Sequence, residues 1–394
     1  MKYFDRKAFK AGVIAAVAVV VMIAMGSRKL KDFDVALTAY AMGSIFAAFA
    51  VTYRYAVWAQ RPPTRMYLKR GWKLFLNRGF SGWKNQKSSK RPLKVAGNAF
   101  SLGQMLLENF FLQKFIGKRS YQRWIMHACL SWGGMLAFAI TFPLVFGWVH
   151  FETQPANAEI YRVMVFGFQV DQFHVHSVNA FVYFNLLNLS ALMVLMGLVL
   201  AVKLRMSDRG ELAVQTFVDD VMPLFLLFIV TMTGLMLTVS YRFMGGAGFA
   251  FIGLSHAASV IALLLYLPFG KLFHIFQRTA SIGVSFYKKA GEAGPRAHCL
   301  KCGADYASQM HVEDLKIVLD ELGFDFRYAT PSGLRHADPR YAVGSRLAEA
   351  SGVARVGVAR AASATQAGEL HYQDICPTCR RCLLALNQGR TLGR

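Results

Sequence analysis

What most constrains this chain is a set of apolar runs, each roughly twenty residues long and nearly free of charge. That is the length an α-helix needs to cross about 30 Å of hydrocarbon. Six such runs are legible, at about 10–26, 35–58, 124–149, 173–202, 219–241 and 249–273. A backbone inside a bilayer must satisfy its own hydrogen bonds, so each run is read as a helix. Charged residues make up only 17% of the 394, where soluble domains carry about 25%. The expected fold is all-α: a polytopic membrane bundle of about six transmembrane helices, followed by a small cysteine-containing domain. A water-soluble enzyme is not expected; the chain reads as an integral membrane protein.

Charge orients the bundle. The net charge is +23, and residues 61–123 hold fifteen Lys or Arg against one acid, Glu108. By the positive-inside rule this basic segment is cytoplasmic, which puts both chain termini inside and predicts a multi-pass protein of the inner (cytoplasmic) membrane. Contact with anionic lipid accounts for the excess charge, so no nucleic-acid partner is expected. Residues 1–60 read as a two-helix hairpin whose first span is retained, because Gly26-Ser27 leads into Arg28 and Lys29 and a second span follows at once. Within the basic segment, 65–80 mixes bases with Tyr67, Trp72, Phe75 and Phe80, as an interfacial helix does. Residues 102–115 are a second candidate. The outer segments are 28–34, 150–172 and 242–248.

Ionisable residues at membrane depth are costly and mark function. Here they are mostly histidines: His127 in the third span, His174 and His176 opening the fourth, His256 and His274 in the sixth, with His150 just beyond the third. His256 and His274 are eighteen residues apart. On one straight helix that is five whole turns, placing both rings on one face about 27 Å apart along the axis. Two haems stacked across the membrane need such a helix. Topology pairs His127 with His274 at an inner haem. For His256 the outer partner is His176, with His150 and then His174 as alternatives. Residues 124–280 are thus read as a four-helix dihaem domain.

The stretch from His256 to His274, with Pro268-Phe269 before its final turns and Lys271 before the second histidine, resembles the last haem-bearing helix of the respiratory nitrate reductase gamma subunit family. Related cytochrome b subunits accompany dissimilatory sulfite reductase and heterodisulfide reductase-like complexes. His127, preceded by Arg119 and Arg123, resembles that family's first ligand. The resemblance covers about 120–280 and implies two bis-histidine b haems and electron exchange with quinol or quinone. No nucleotide or molybdopterin site is visible in the sequence, so the expected catalytic partner is a separate redox subunit on the cytoplasmic side, docking on the basic loop and the cysteine tail. The chain departs from the family where a ligand should recur ten residues after His127, since Ala137 stands there. The cysteine-bearing tail is a second departure.

That tail, 290–394, has its boundary punctuated by Gly291, Gly294 and Pro295. It carries Cys299-x2-Cys302 and Cys376-x2-Cys379-x2-Cys382. Four thiolates can hold one Zn²⁺ or one [4Fe–4S] cluster. The successive x2 spacings lean toward iron–sulfur, and Cys382 is the most expendable. Residues 312–322 read as a helix ending at Gly323. The function expected is a membrane electron conduit between the quinone pool and a partner subunit. The alternatives are a proton- or ion-coupled transporter using the intramembrane histidines, and a structural membrane anchor with a zinc-stapled tail.

Overall fold

The computed structural model describes residues 4–76, 91–207, 209–324, 327–329, 369–382 and 385. In chain order its elements begin with α1 (Arg6–Gly26), α2 (Thr38–Gln60), α3 (Thr64–Phe75), α4 (Arg91–Leu106), the single turn α5 (Lys114–Gly117) and α6 (Tyr121–Val145). Strands β1 (Val149–Gln154), β2 (Asn157–Val165) and β3 (Phe168–His174) follow, then α7 (Val178–Ser207), α8 (Arg209–Val214), α9 (Met222–Phe243), α10 (Phe249–Tyr266) and α11 (His274–Glu292). Last come β4 (Arg296–His298), β5 (Asp305–Ser308), α12 (Gln309–Glu321), β6 (Arg327–Ala329) and β7 (Glu369–His371). Six helices are long and apolar enough to cross a membrane, spanning Arg6–Gly26, Val35–Gln60, Tyr121–Val145, Val178–Ser207, Phe217–Phe243 and Phe249–Tyr266. The expected largely helical, multi-pass architecture is what the chain forms. Large apolar side chains such as Ile14 and Leu254 stand exposed along these helices, as lipid-facing residues do.

The chain divides into two compact units, 1–59 with 100–282, and 60–99 with 283–394. The basic segment is therefore not one piece. Its first part belongs with the tail, and its last part with the membrane helices.

In the first unit, α1 starts where the Asp5 carboxylate accepts hydrogen bonds from the amides of Lys7 and Ala8, satisfying two otherwise unpaired donors. Helices α6 and α7 pack closely along their length. Gly133 lets them approach: a Cβ there would lie 2.8 Å from Val194 Cγ2 and 2.9 Å from the Ser190 carbonyl oxygen. Ser190 Oγ donates across the seam to the Gly133 carbonyl at 2.8 Å. Small residues and side-chain hydrogen bonds are what hold helices together where lipid removes the hydrophobic drive.

Two sequence expectations are corrected here. The connection between α6 and α7 is a three-stranded antiparallel meander, β1-β2-β3. Its second hairpin turns on Phe166 and Gly167, both at positive φ, the backbone that a two-residue turn requires. Val163 and Phe173 are buried against Ala180 at the start of α7. The fourth span therefore begins at Val178, and neither His174 nor His176 lies on it.

The second correction concerns the sixth span. It ends at Tyr266, and α11 begins afresh at His274 after a short 3₁₀ turn over Lys271–Phe273. Pro268 has no N–H to continue the ladder and its ring crowds the preceding turn. Arg54 of α2 donates to the freed carbonyls of Pro268 and, at 3.5 Å, Gly270, and its guanidinium lies 4.3 Å from the centre of the Phe273 ring. His256 and His274 are thus not on one straight helix, and the five-turn spacing does not apply.

The second unit packs α3 against α11 and α12. Asp314, only 1% exposed, receives Arg70 through Nε at 2.7 Å and Nη2 at 2.5 Å, and the Tyr287 hydroxyl at 2.8 Å. Tyr67 stands edge-on to Tyr287 and stacks on His311. Helix α12 is capped by Ser308 and stops at Gly323, φ +79, close to the expected end.

Candidate functional site

The tail's chemistry begins with two tight turns. Strands β4 and β5 form a hairpin whose loop carries Cys299 and Cys302. Its backbone closes through Gly303 N–H to the Cys299 carbonyl at 2.8 Å and Cys299 N–H to the Ala304 carbonyl at 2.9 Å. Gly303 has φ +73, a conformation that a residue with a Cβ rarely adopts. The second turn, Cys376-Pro-Thr-Cys379, follows the short helical turn Tyr372–Asp374. The two turns are joined by Leu300 N–H to the Asp374 carbonyl at 3.0 Å and Tyr306 Oη to the Gln373 carbonyl at 2.5 Å. Lys316 of α12 pairs with Asp374 at 2.6 Å.

These contacts bring four of the five tail thiols together. The sulfurs of Cys299, Cys302, Cys376 and Cys379 all lie within 4.8 Å of one another. Cys299 and Cys376 are buried and form a small core with Ile375. Cys382 is exposed and stands outside the group. The amide of Cys376 donates to Cys299 Sγ at 3.2 Å, and that of Cys379 to Cys376 Sγ at 3.4 Å. Burial would push the Cys299 thiol up, but amide donors from Cys376, Cys302 and Lys301 draw it down to about 7. Burial raises Cys302 and Cys379, and neighbouring sulfurs add to the rise. One favoured thiolate beside thiols held protonated is a donor set that a cation would complete. The cluster can hold a metal ion.

The six candidate haem-binding histidines separate into three groups. His127 of α6 and His274 at the start of α11 come together, ring centres 6.4 Å apart and planes at 72°. Each has its Nδ1 engaged: His127 with Gln113 Oε1 at 2.8 Å, His274 with the Lys271 carbonyl at 2.6 Å. His256 of α10 is bonded through Nδ1 to Thr233 Oγ1 of α9 at 3.0 Å, with Gly234 close against its ring. The remaining three belong to the sheet and its exit. His150 bonds Glu152, His174 bonds Glu159, and His174 lies beside His176, whose amide donates to its Nδ1. The inner pair expected from the sequence is brought together. The outer pair is not, because His176 and His174 leave the helix register that was assumed for them.

Gln113, Thr233 and Arg54 were not singled out from the sequence. Each is an ordinary polar or basic residue whose role depends on a helix distant in the chain, so no local signal marks it. Compared with known proteins, the chain matches no protein-family model, no curated protein and no solved structure.

Proposed function

We propose that this chain is a membrane anchor whose C-terminal domain is clasped by a single Zn²⁺ held by Cys299, Cys302, Cys376 and Cys379. The size of the sulfur cage carries this reading. Thiolates about 2.3 Å from one zinc ion stand about 3.8 Å from each other, and Cys302 and Cys376 are 3.8 Å apart. All four sulfurs lie within 4.8 Å, whereas the thiolates around a [4Fe–4S] cube are spread to roughly 6 Å. The ion would serve as a fold-closing staple, joining two turns that a small apolar core alone holds weakly. Elemental analysis of the purified full chain tests it. One zinc per chain, lost in Cys302→Ala, is expected. Four irons with acid-labile sulfide would overturn it.

One observation favours a second reading, an electron conduit with one b haem between His127 and His274. Two imidazoles on one iron, each bond about 2.0 Å, have ring centres about 6.3 Å apart, against the 6.4 Å found. Bound haem would supply one-electron chemistry, and quinone with a peripheral redox subunit would be its exchange partners. The protein's own part is to hold both Nδ1 atoms in hydrogen bonds and leave both Nε2 atoms available. His256 is bonded to Thr233 and, among the described residues, no histidine ring contacts it, so the donor set described does not fit a second haem. A pyridine haemochrome spectrum tests this reading: one b haem per chain supports it, and none overturns it.

A further inference from the structure

We propose that Gln113 is a positioning residue for His127, fixing its proton on Nδ1 so that Nε2 is presented to iron. This inference rests on the conduit reading above and deepens it.

Gln113 lies in the bend between a π-helical turn (Leu107–Phe111) and α5. It is a polar residue, yet it is only 3% exposed. Its backbone is left-handed, with φ 51 and ψ 37, a conformation disfavoured for any residue with a Cβ. Such strain persists where the surroundings over-determine it. Here two indoles of α6 pin the bend. Trp124 Nε1 donates to the Leu112 carbonyl at 2.8 Å, and Trp132 Nε1 to the Phe111 carbonyl at 2.9 Å. The outcome is that the Gln113 side chain meets His127 Nδ1 through its carbonyl oxygen.

That oxygen only accepts, so the ring proton sits on Nδ1 and the lone pair on Nε2. His274 is set the same way by the Lys271 carbonyl. An acceptor on the far nitrogen also makes an imidazole a stronger electron donor to a bound metal. A stronger acceptor than an amide would therefore lower the iron's reduction potential, and removing the acceptor would raise it.

The test uses the full chain purified in detergent, with haem content, a spectroscopic redox titration and thermal melting measured on wild type, Gln113→Gly and Gln113→Glu. Glycine adopts the left-handed backbone freely, so in Gln113→Gly the relief of backbone strain offsets part of the cost of the lost buried hydrogen bond, and a cooperative melt is expected to show that the variant still folds. Its potential is expected to rise, while that of Gln113→Glu falls. Opposite shifts in the two variants support the inference, because a merely structural side chain would not produce them. Haem in the wild type with the potential unmoved in both variants overturns the inference and leaves the conduit reading intact. Absence of haem from the wild type overturns the conduit reading, and the inference with it.

Discussion

The sulfurs of Cys302 and Cys376 lie 3.8 Å apart although 74 residues separate them in the chain. Among the described residues, the apolar core around the turns that carry them is Ile375 and Tyr306 with the thiols themselves. Holding four sulfurs this close without a cation would set the Cys299 thiolate against three neighbouring sulfurs, of which Cys376 is buried, Cys379 half-buried and Cys302 exposed. The clasp and the fold of the tail are therefore expected to depend on each other.

Metal retention should follow from pH with a definite sign. The fold holds the Cys299 thiol down to about 7, below its ordinary value, so it favours the thiolate. That contribution is present above the ordinary thiol value and is lost as pH falls through about 7. Metal release to a chromophoric chelator should be slow at pH 8 and accelerate below neutrality. Cys376→Ser should release metal already at pH 8, whereas Cys382→Ser should match wild type throughout.

The Arg70–Asp314–Tyr287 cluster offers a second measurement. Arg70→Ala leaves the Asp314 carboxylate buried without its guanidinium, and removing one partner of a buried pair costs about 3–5 kcal/mol. Tyr287→Phe removes one hydrogen bond to the same carboxylate, for about 1–3 kcal/mol. Limited proteolysis of the full chain should show the tail cut fastest in Arg70→Ala, next in Tyr287→Phe, and slowest in wild type.

Adjacent glycines in α6 should behave oppositely. A Cβ at Gly133 meets Val194 and the Ser190 carbonyl at under 3 Å, while one at Gly134 meets nothing within 4 Å. Gly133→Ala should force α6 and α7 apart at a cost of about 1–3 kcal/mol. Gly134→Ala should leave thermal stability in detergent unchanged or slightly raised.

Arg54→Ala should loosen the break between α10 and α11. It removes the donor to the Pro268 and Gly270 carbonyls and the cation over Phe273. Hydrogen exchange of amides in 267–274 is expected to quicken by tenfold or more, with α9 protected as before.

The spans and the paired cysteines were legible because their signals are local. Bilayer length and the penalty on buried charge act on each twenty-residue run by itself, and a Cys-x2-Cys turn is built from four consecutive residues. The break after Tyr266 was also written locally, in Pro268 and Gly270, but the whole-turn spacing of His256 and His274 argued for continuity and concealed it. The 149–174 meander was missed for a different reason. Its strands alternate only weakly, and their register is set by Phe166-Gly167 and by packing on α7.

What the sequence by itself determined is therefore a set of membrane helices, their flanking charge and two thiol pairs able to bind metal. Tertiary structure alone decided which groups meet: Gln113 with His127, His127 with His274, Thr233 with His256, and one thiol pair with the other. Helical periodicity sets the face on which a side chain emerges. Its partner is chosen by the close approach of glycines, the angle left by a broken helix and the donors that reach freed carbonyls, and those depend on chain segments far apart in sequence.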